Sequence, residues 1–130
     1  MKLVIDTCAI LWVVSDPDRL SSHAQKLLLL ESSVVFVSPI SCAEIACGVA
    51  RNRFSLDTHW KTWFRFYTDA NEWSVEPIGL DIAEEAYSLP DEFHADPADR
   101  IIVATARKLS ATVVTADRKI LDYPHVDAIA

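Results

Sequence analysis

The amino-acid sequence predicts a three-layer α/β/α domain built around a short parallel sheet of four to five strands. Two observations support this class. Short runs of branched apolar residues alternate with longer segments of helical periodicity, a pattern typical of right-handed βαβ crossovers. In addition, acidic residues recur where a predicted strand ends or the next helix begins, which is where open parallel sheets bind their ligands.

Four apolar runs and one edge segment predict the strands. Each is brief, rich in β-branched or other apolar residues and bounded by turn-forming residues. In chain order they are Lys2–Ile5, Val34–Val37, Val75–Ile78, Thr112–Thr115 and the edge segment Val126–Ile129. The segments between them are predicted helices, which cover about residues 9–14, 22–31, 41–50, 58–71, 81–89, 96–109 and 118–121.

Local signals account for the helix boundaries. Turn formers at 15–18 end the first helix, and a serine at 21 or 22 caps the second. Ser41 is expected to open the third helix. Asp81 begins a capping-box pattern for the fifth helix. The segment Asp96-Pro97-Ala98-Asp99 gives the sixth an N-cap, a first-turn proline and an acidic third position.

The fourth helix carries an aromatic stripe. The stripe residues recur at i, i+3, i+4 and i+7 and are Trp60, Trp63, Phe64 and Tyr67. Such a stripe more often packs into a core than stacks on nucleic acid, so we expect it to lie against the sheet. A surface for a binding partner is the alternative.

The 130 residues are expected to form one domain spanning 1–130, because this length buries about two thirds of the unfolded surface in a single core. The net charge of −7 argues against a protein that coats nucleic acid by bulk electrostatics. A nuclease with acidic residues concentrated at a metal site is still compatible with this charge.

Cysteine content and hydropathy bear on location. Cys8, Cys42 and Cys47 form no C-x-x-C pair and show no ligand spacing with the four histidines, so we expect reduced core residues. The first residues run into a strand without a signal-peptide pattern, and no apolar run approaches the roughly 20 residues of a membrane span. The expectation is a cytoplasmic protein without membrane association.

Four acidic residues are predicted to meet at one edge of the sheet. They lie at strand ends or in first turns of helices and are Asp6, Glu44, Asp99 and Asp117. Two carboxylates about 4 Å apart repel by about 4 kcal/mol at an effective dielectric constant near 20, so such a group needs a cation. Because oxygen ligands favour Mg²⁺ or Mn²⁺ over zinc, the sequence predicts a site for one of these two ions.

Helix capping is an alternative role for some of these side chains. The third helix offers a capping box that ends at Glu44, and the acidic groups of Asp96 and Asp99 suit the positive end of a helix dipole. Asp117 can cap the turn that follows it, which is compatible with metal binding. Asp6, however, ends a buried strand where an unpaired charge costs several kcal/mol, and no capping role is expected for it. Metal binding is therefore preferred for the set of four.

Segments spread over essentially the whole chain match one protein family in order and spacing. They are Leu3-Val4-Ile5-Asp6-Thr7, Ser38-Pro39-Ile40-Ser41-Cys42-Ala43-Glu44-Ile45, Asp96-Pro97-Ala98-Asp99-Arg100-Ile101-Ile102-Val103-Ala104-Thr105-Ala106 and Val114-Thr115-Ala116-Asp117. Together they resemble the PIN domain family, and most closely the VapC-type toxins of bacterial toxin–antitoxin pairs. The resemblance implies a PIN-like fold.

The resemblance also implies an activity and its residues. Within this family, acidic residues that match the four above bind Mg²⁺ or Mn²⁺ and cleave RNA, which makes all four both catalytic and metal-binding. Asp96, Thr7 and Thr115 match positions beside the metal centre, whereas Cys8 stands where many members carry a histidine. The implied function is a toxin endoribonuclease that hydrolyses phosphodiester bonds, is inhibited by a VapB-type antitoxin and forms a homodimer.

Basic residues flank the predicted pocket. Such charges usually belong to solvated surface, and Arg100 alternatively neutralises the acidic group as a structural salt bridge. Beside a metal they are expected to hold RNA phosphates, which positions a substrate without reading its sequence. The candidate RNA-positioning residues are Arg100, Arg118 and Lys119, with Arg51 and Arg53 beyond the third helix.

Two other functions share part of this sequence pattern. A catalytically silent PIN-like module that binds RNA or protein would have the same fold and would tolerate loss of the aspartates. A phosphohydrolase of the haloacid dehalogenase type also places aspartate after its first strand, but it needs a second aspartate at the position held here by Cys8.

Overall fold

The computed structural model describes residues 1–130 as a five-stranded parallel sheet flanked by helices. The strands are Lys2–Ile5 (β1), Val34–Val37 (β2), Ser74–Val75 (β3), Thr112–Val114 (β4) and Asp127–Ile129 (β5). Their order is β3-β2-β1-β4-β5, and every neighbouring pair is parallel. Because β1 is central, Asp6 at its carboxyl end lies in the middle of one sheet edge. The predicted fold class is confirmed.

Seven α-helices connect the strands, as the sequence predicted. They are Thr7–Ser15 (α1), Ser22–Leu29 (α2), Pro39–Ala50 (α3), Trp60–Ala70 (α4), Leu80–Ala86 (α5), Pro97–Leu109 (α6) and Arg118–Leu121 (α7). A 3₁₀ turn at Pro17–Arg19 follows α1. No helix combines the length and the apolar character that a membrane crossing requires.

The two faces of the sheet bury separate apolar clusters. Leu3 and Ile5 of β1 pack with residues of α1 to α4 on one face. Val4, between them in sequence, packs with α6 and α7 on the other. This alternation follows from the two-residue repeat of a strand and explains why β1 is apolar at consecutive positions. The central strand, and with it the position of Asp6, is therefore fixed by packing from both sides.

The aromatic stripe of α4 belongs to the core, which confirms the prediction. Trp63 and Phe64 are 3% and 7% exposed. Trp60 and Tyr67 are partly buried and pack against the same apolar cluster. Phe66, on another face of the helix, is exposed.

The third strand is shorter and begins earlier than predicted. It covers Ser74–Val75 instead of Val75–Ile78. The last inter-strand hydrogen bond of this segment runs from the Glu76 amide to the Val37 carbonyl, at 2.9 Å. Pro77 then ends the ladder because proline has no amide hydrogen to donate.

Two predicted helix starts are wrong. α3 begins at Pro39 and not at Ser41, because Ser38 is its N-cap and proline suits the first helical position. Glu44 thus lies beyond the first turn, which excludes the capping box proposed for it. α5 has Gly79 at its N-cap without a side-chain cap, so the capping-box pattern that begins at Asp81 is not used either.

The cysteines also differ from expectation. Cys8 and Cys47 are exposed and Cys42 is half-buried, so they are not core residues. All three are free thiols, as predicted. Cys8 is exposed because it lies in the first turn of α1, on the side that faces the carboxyl edge of the sheet.

Candidate metal centre

The four predicted acidic residues meet at one cleft at the carboxyl edge of β1 and β4. The cleft has a volume of about 370 Å³. Its lining includes Asp6, Glu44, Asp99 and Asp117 together with Thr7 and Cys8. A parallel sheet brings strand ends to one edge, and the helices that follow direct their first turns toward it. Residues separated by more than a hundred positions in sequence thereby share a site.

Asp6 is buried, with 6% of its surface exposed, and each of its two carboxylate oxygens accepts one hydrogen bond. Its Oδ1 accepts the Ala9 amide at 2.9 Å, so Asp6 is the N-cap of α1. Its Oδ2 accepts the hydroxyl of Thr115. The expectation that Asp6 has no capping role is therefore wrong, because α1 begins at Thr7, directly after the strand, and not at Ala9. Burial nevertheless raises the pKa of Asp6, against the opposing effect of these two hydrogen bonds.

Thr115 connects two of the acidic residues. Its hydroxyl donates to Asp6 and accepts the Asp117 amide at 3.0 Å. The residue is completely buried, so this hydroxyl has a fixed orientation. Asp117 in turn caps α7, since its Oδ1 accepts the Lys119 amide at 2.9 Å. The predicted capping role of Asp117 is confirmed, and one of its carboxylate oxygens takes part in that cap.

Glu44 reaches the cleft from the second turn of α3 and is oriented by Thr7. The Thr7 hydroxyl donates to Glu44 Oε1 and lies 2.9 Å from the Ser41 hydroxyl. Burial raises the pKa of Glu44, the Thr7 hydrogen bond lowers it, and the negative charge of Asp96 raises it further. Thr7 and Thr115 thus each orient one carboxylate of the cleft.

Asp99 is the most perturbed carboxyl group of the site. Asp96 caps α6 by accepting the Asp99 amide at 3.1 Å, as the sequence predicted. The pKa of Asp99 is raised from 3.8 to about 7, first by burial and then by neighbouring negative charges. In decreasing order these charges are Asp96, Asp117, Glu44 and Asp6. The charges of the other three cleft carboxylates therefore all act on Asp99.

His94 also reaches this group, although no sequence pattern indicates a role for it. Its Nε2 lies 2.9 Å from Asp99 Oδ2. One ligand atom from each of His94, Asp99 and Asp117 falls within a set of atoms no more than 4.8 Å apart. The available signal was position alone, since His94 precedes the N-cap of α6 by two residues, and no spacing rule gives a loop side chain its direction.

Arg100 does not face the acidic group. Its guanidinium donates to the backbone carbonyls of His94 at 3.0 Å, Ala86 at 2.9 Å and Phe93 at 2.7 Å. These bonds occupy all three of its nitrogens and join α6 to the preceding loop and to the end of α5. The expected contact with RNA phosphate is not supported by this geometry, and neither is a salt bridge to the carboxylates.

Other basic residues lie nearer to solvent. Arg53 is the only basic residue among those lining the cleft. Arg118 is 78% exposed on its side chain and pairs with Asp122 at 2.9 Å. Lys119 is exposed and lines a neighbouring depression together with His94. The cleft itself is therefore strongly acidic, with one basic side chain, that of Arg53, at its rim.

The donor set suits a hard divalent cation. Four carboxylates supply the oxygen ligands that Mg²⁺ and Mn²⁺ favour. Burial first, and neighbouring negative charges after it, raise the pKa values of Asp6, Glu44 and Asp99. Burial and the charge of Asp6 raise the pKa of the Cys8 thiol, with further contributions from the other three acids. A thiol that stays protonated is a poor ligand, so Cys8 does not turn this into a thiolate site.

Comparison with known proteins gives a family and a relative. A family model described as PIN domain matches residues 3–126. Among curated proteins, the chain is similar to Ribonuclease VapC22 of Mycobacterium tuberculosis, with 29% identity over 125 residues. The aligned region covers 95% of this chain and 92% of that protein.

Solved structures share the fold. VapBC2 from Rickettsia felis, bound to a DNA fragment from its promoter, matches with a TM-score of 0.72 and 16% identity over 99% of this chain and 98% of that one. DNA-bound VapBC from Salmonella typhimurium matches with a TM-score of 0.72 and 18% identity over 99% and 97% of the two chains. At these identities the likeness establishes the architecture.

Proposed function

The chain belongs to the PIN domain family, and on this basis we propose that it is a metal-dependent endoribonuclease and the toxin of a VapBC-type toxin–antitoxin pair. In this proposal residues 1–130 act as a single PIN domain in the cytoplasm. One observation carries the catalytic part: four carboxylates, distant in sequence, line the same cleft. The similarity to a protein named as a ribonuclease supports RNA as the substrate class.

Asp6, Glu44, Asp99 and Asp117 are the proposed ligands of Mg²⁺ or Mn²⁺. When bound, such an ion supplies an activated water and stabilises the leaving oxygen of a phosphodiester. The chain contributes the orientation of the ligands. Thr115 fixes the Asp6 carboxylate, and Thr7 fixes that of Glu44, so the ligand oxygens are held in place before a cation arrives.

The acidic cleft also controls access of RNA. Its carboxylates repel the phosphate backbone, so substrate approaches productively only when the site is charge-neutralised. Arg53 at the cleft, with Arg118 and Lys119 at the start of α7, is proposed to hold flanking phosphates. These contacts position the RNA strand without reading its bases. Attack by water at phosphorus leaves a 5′-phosphate and a 3′-hydroxyl.

A VapB-type antitoxin is the proposed partner, and a homodimer is the proposed assembly. Several structures that share the fold are toxin–antitoxin complexes, including one from Klebsiella pneumoniae. Co-expression of a cognate VapB-type antitoxin is expected to restore growth of cells that express this chain. Complex formation without restored growth contradicts inhibition, and a monomer in sedimentation experiments contradicts the dimer.

The activity is tested with purified protein and total bacterial RNA, with and without Mg²⁺ or Mn²⁺. The variants are Asp6→Asn and Asp99→Asn, and Asp69→Asn is the matched control because Asp69 is exposed on α4 and has no side-chain hydrogen bond or ion pair. Discrete metal-dependent cuts by the parent and the control, lost in both site variants, are expected. Sequencing of product ends is expected to find 5′-phosphates.

Other outcomes contradict the proposal in distinct ways. Cyclic phosphate ends exclude hydrolysis by a metal-activated water, because they arise from attack by the 2′-hydroxyl of the RNA. Absence of cleavage by folded, antitoxin-free protein in either metal favours the silent binding module. That module would keep its binding function in Asp6→Asn and Asp99→Asn.

A further inference from the structure

We propose that His94 is a nitrogen ligand of the metal site and that it shifts the preference of this site from Mg²⁺ toward Mn²⁺. The inference rests on the proposed metal-dependent function and adds to it a ligand that the sequence pattern did not provide. Carboxylates and water suit Mg²⁺ and Mn²⁺, whereas an imidazole favours first-row transition ions. One added nitrogen ligand is therefore expected to change which ion the site prefers, whereas it changes the net charge of the site little.

The position of the imidazole is the first argument. His94 Nε2 lies 2.9 Å from Asp99 Oδ2, in the set of potential ligand atoms that also includes Asp117 and spans no more than 4.8 Å. A cation that contacts Asp99 and Asp117 therefore meets this nitrogen without any change of fold. No other histidine contacts one of the four cleft carboxylates.

The second argument is that this nitrogen lacks a satisfactory partner within the protein. Nε2 is a buried atom, although 22% of the His94 side chain remains exposed. Its short distance to Asp99 is not accompanied by hydrogen-bond geometry. Buried polar atoms are normally paired, so an unpaired ring nitrogen among carboxylates is consistent with a ligand position.

The third argument is the rigidity of the loop that carries the ring. Arg100 donates to the carbonyl oxygens of His94 and of Phe93, and a third bond to Ala86 ties both to the end of α5. The imidazole also packs on the Phe93 ring, with centroids 4.6 Å apart. A ligand held this way loses little freedom on binding a cation. Arg100 thereby has a positioning role in place of the expected phosphate contact.

A purely electrostatic pairing of His94 with Asp99 is the competing explanation. In that case the imidazole competes with a cation for the carboxylate, and its removal leaves metal affinity unchanged or increases it. A ligand has the opposite effect, because its removal weakens binding, and weakens it more for Mn²⁺ than for Mg²⁺. The sign of the change in Mn²⁺ affinity therefore separates the two.

The test measures metal binding directly and needs no RNA. Mn²⁺ and Mg²⁺ are titrated into purified parent protein, His94→Ala, His94→Asn and the control His23→Ala, whose side chain is exposed on α2. We expect His94→Ala to weaken Mn²⁺ binding about tenfold or more, and Mg²⁺ binding by less than about threefold. His23→Ala is expected to match the parent.

Pulsed electron paramagnetic resonance of the Mn²⁺ complexes provides a second readout. Nitrogen coupling is expected in the parent and in His23→Ala and is expected to be absent from both His94 variants. Circular dichroism of each variant verifies that it is folded. If His94→Ala does not fold, His94→Asn takes its place in both measurements.

The failure of this inference differs from the failure of the proposed function. Mn²⁺ binding without nitrogen coupling, or with the same Mn²⁺ to Mg²⁺ affinity ratio in the His94 variants, overturns the histidine ligand and leaves the carboxylate site intact. Absence of binding of either ion to the parent overturns both.

Discussion

The carboxyl group of Asp99 is expected to destabilise the metal-free protein, so Asp99→Asn should stabilise the fold while it abolishes function. Its pKa is raised from 3.8 to about 7 in the folded chain by burial and by neighbouring negative charges. A group with a raised folded-state pKa favours folding at low pH, and this contribution is lost as the pH rises from 3.8 through about 7. Above that window the folded protein retains a carboxylate that the unfolded chain solvates better.

The size of the effect follows from the same shift. A pKa of about 7 in place of 3.8 corresponds at pH 8 to at most roughly 4 kcal/mol of unfolding free energy. Coulomb's law gives roughly 3.5 kcal/mol for two carboxylates at 4.8 Å, the outer separation of the Asp99 and Asp117 ligand atoms, at an effective dielectric constant of 20. Because 19% of the Asp99 side chain is exposed and water screens the charges, we expect Asp99→Asn to stabilise by about 1–2 kcal/mol.

Urea denaturation followed by circular dichroism is the assay. Parent, Asp99→Asn and the control Asp69→Asn are unfolded in EDTA at pH 8 and at pH 5. The gain in unfolding free energy of Asp99→Asn at pH 5 is expected to be about one third of its gain at pH 8. The reason is that pH 5 lies only partway between the two pKa values of 3.8 and about 7. Asp69→Asn is expected to lie within about 0.5 kcal/mol of the parent at both values.

Addition of Mn²⁺ should reverse the ranking. A ligand at a hundred times its dissociation constant stabilises the parent by about 2.7 kcal/mol, and the variant gains less because it has lost a ligand. An Asp99→Asn variant that is less stable than the parent at pH 8 in EDTA refutes the reasoning. So does a gain that is independent of pH.

Three further substitutions test the supports of the cleft. Thr115→Val removes the buried hydroxyl between Asp6 and the Asp117 amide. Urea denaturation should find the unfolding free energy lowered by about 1–3 kcal/mol, and titration should find the Mn²⁺ affinity reduced by about 10- to 100-fold. Unchanged values contradict this role of Thr115. Gly48→Ala places a Cβ 2.5 Å from the ring of Phe54, which must then shift at the cleft wall. RNA cleavage should fall while Mn²⁺ affinity is kept. Cleavage at the parent rate contradicts a role for the position of this ring. Arg100→Lys loses the guanidinium bonds to three carbonyls. The unfolding free energy should fall by about 2 kcal/mol, and amide hydrogen exchange should accelerate over residues 91–95. Exchange at the parent rate in this segment contradicts the positioning role.

The position of the carboxylates could be predicted because it depends on topology. Asp6 and Asp117 follow strands, and parallel strands end at one edge, so sequence position alone brings them near each other. The hydrogen bonds of these residues could not be predicted in the same way. The cap that Asp6 provides depends on whether α1 begins at Thr7 or two residues later, and propensity does not determine a boundary to that accuracy.

Side-chain direction accounts for the other differences. Arg100 is adjacent to Asp99 in sequence, but consecutive helical residues point to different sides, and its guanidinium turns back to the loop before α6. The guanidinium thereby holds the backbone of His94, whose Nε2 lies 2.9 Å from Asp99 Oδ2. A loop residue oriented by a side chain six positions later leaves no periodic trace in the sequence. The early end of β3, by contrast, could have been read from Pro77.

The pairing of β1 with β4 has a consequence for the timing of activity during synthesis. Asp6 emerges from the ribosome before most of the domain, but the hydroxyl that orients it belongs to Thr115, 109 positions later. A nascent chain without β4 and the residues that follow it lacks both Thr115 and Asp117 and exposes the edge of β1 that pairs with β4. A translation product that ends before Thr115 therefore cannot assemble the site, and the proposed activity can appear only after most of the domain has been translated.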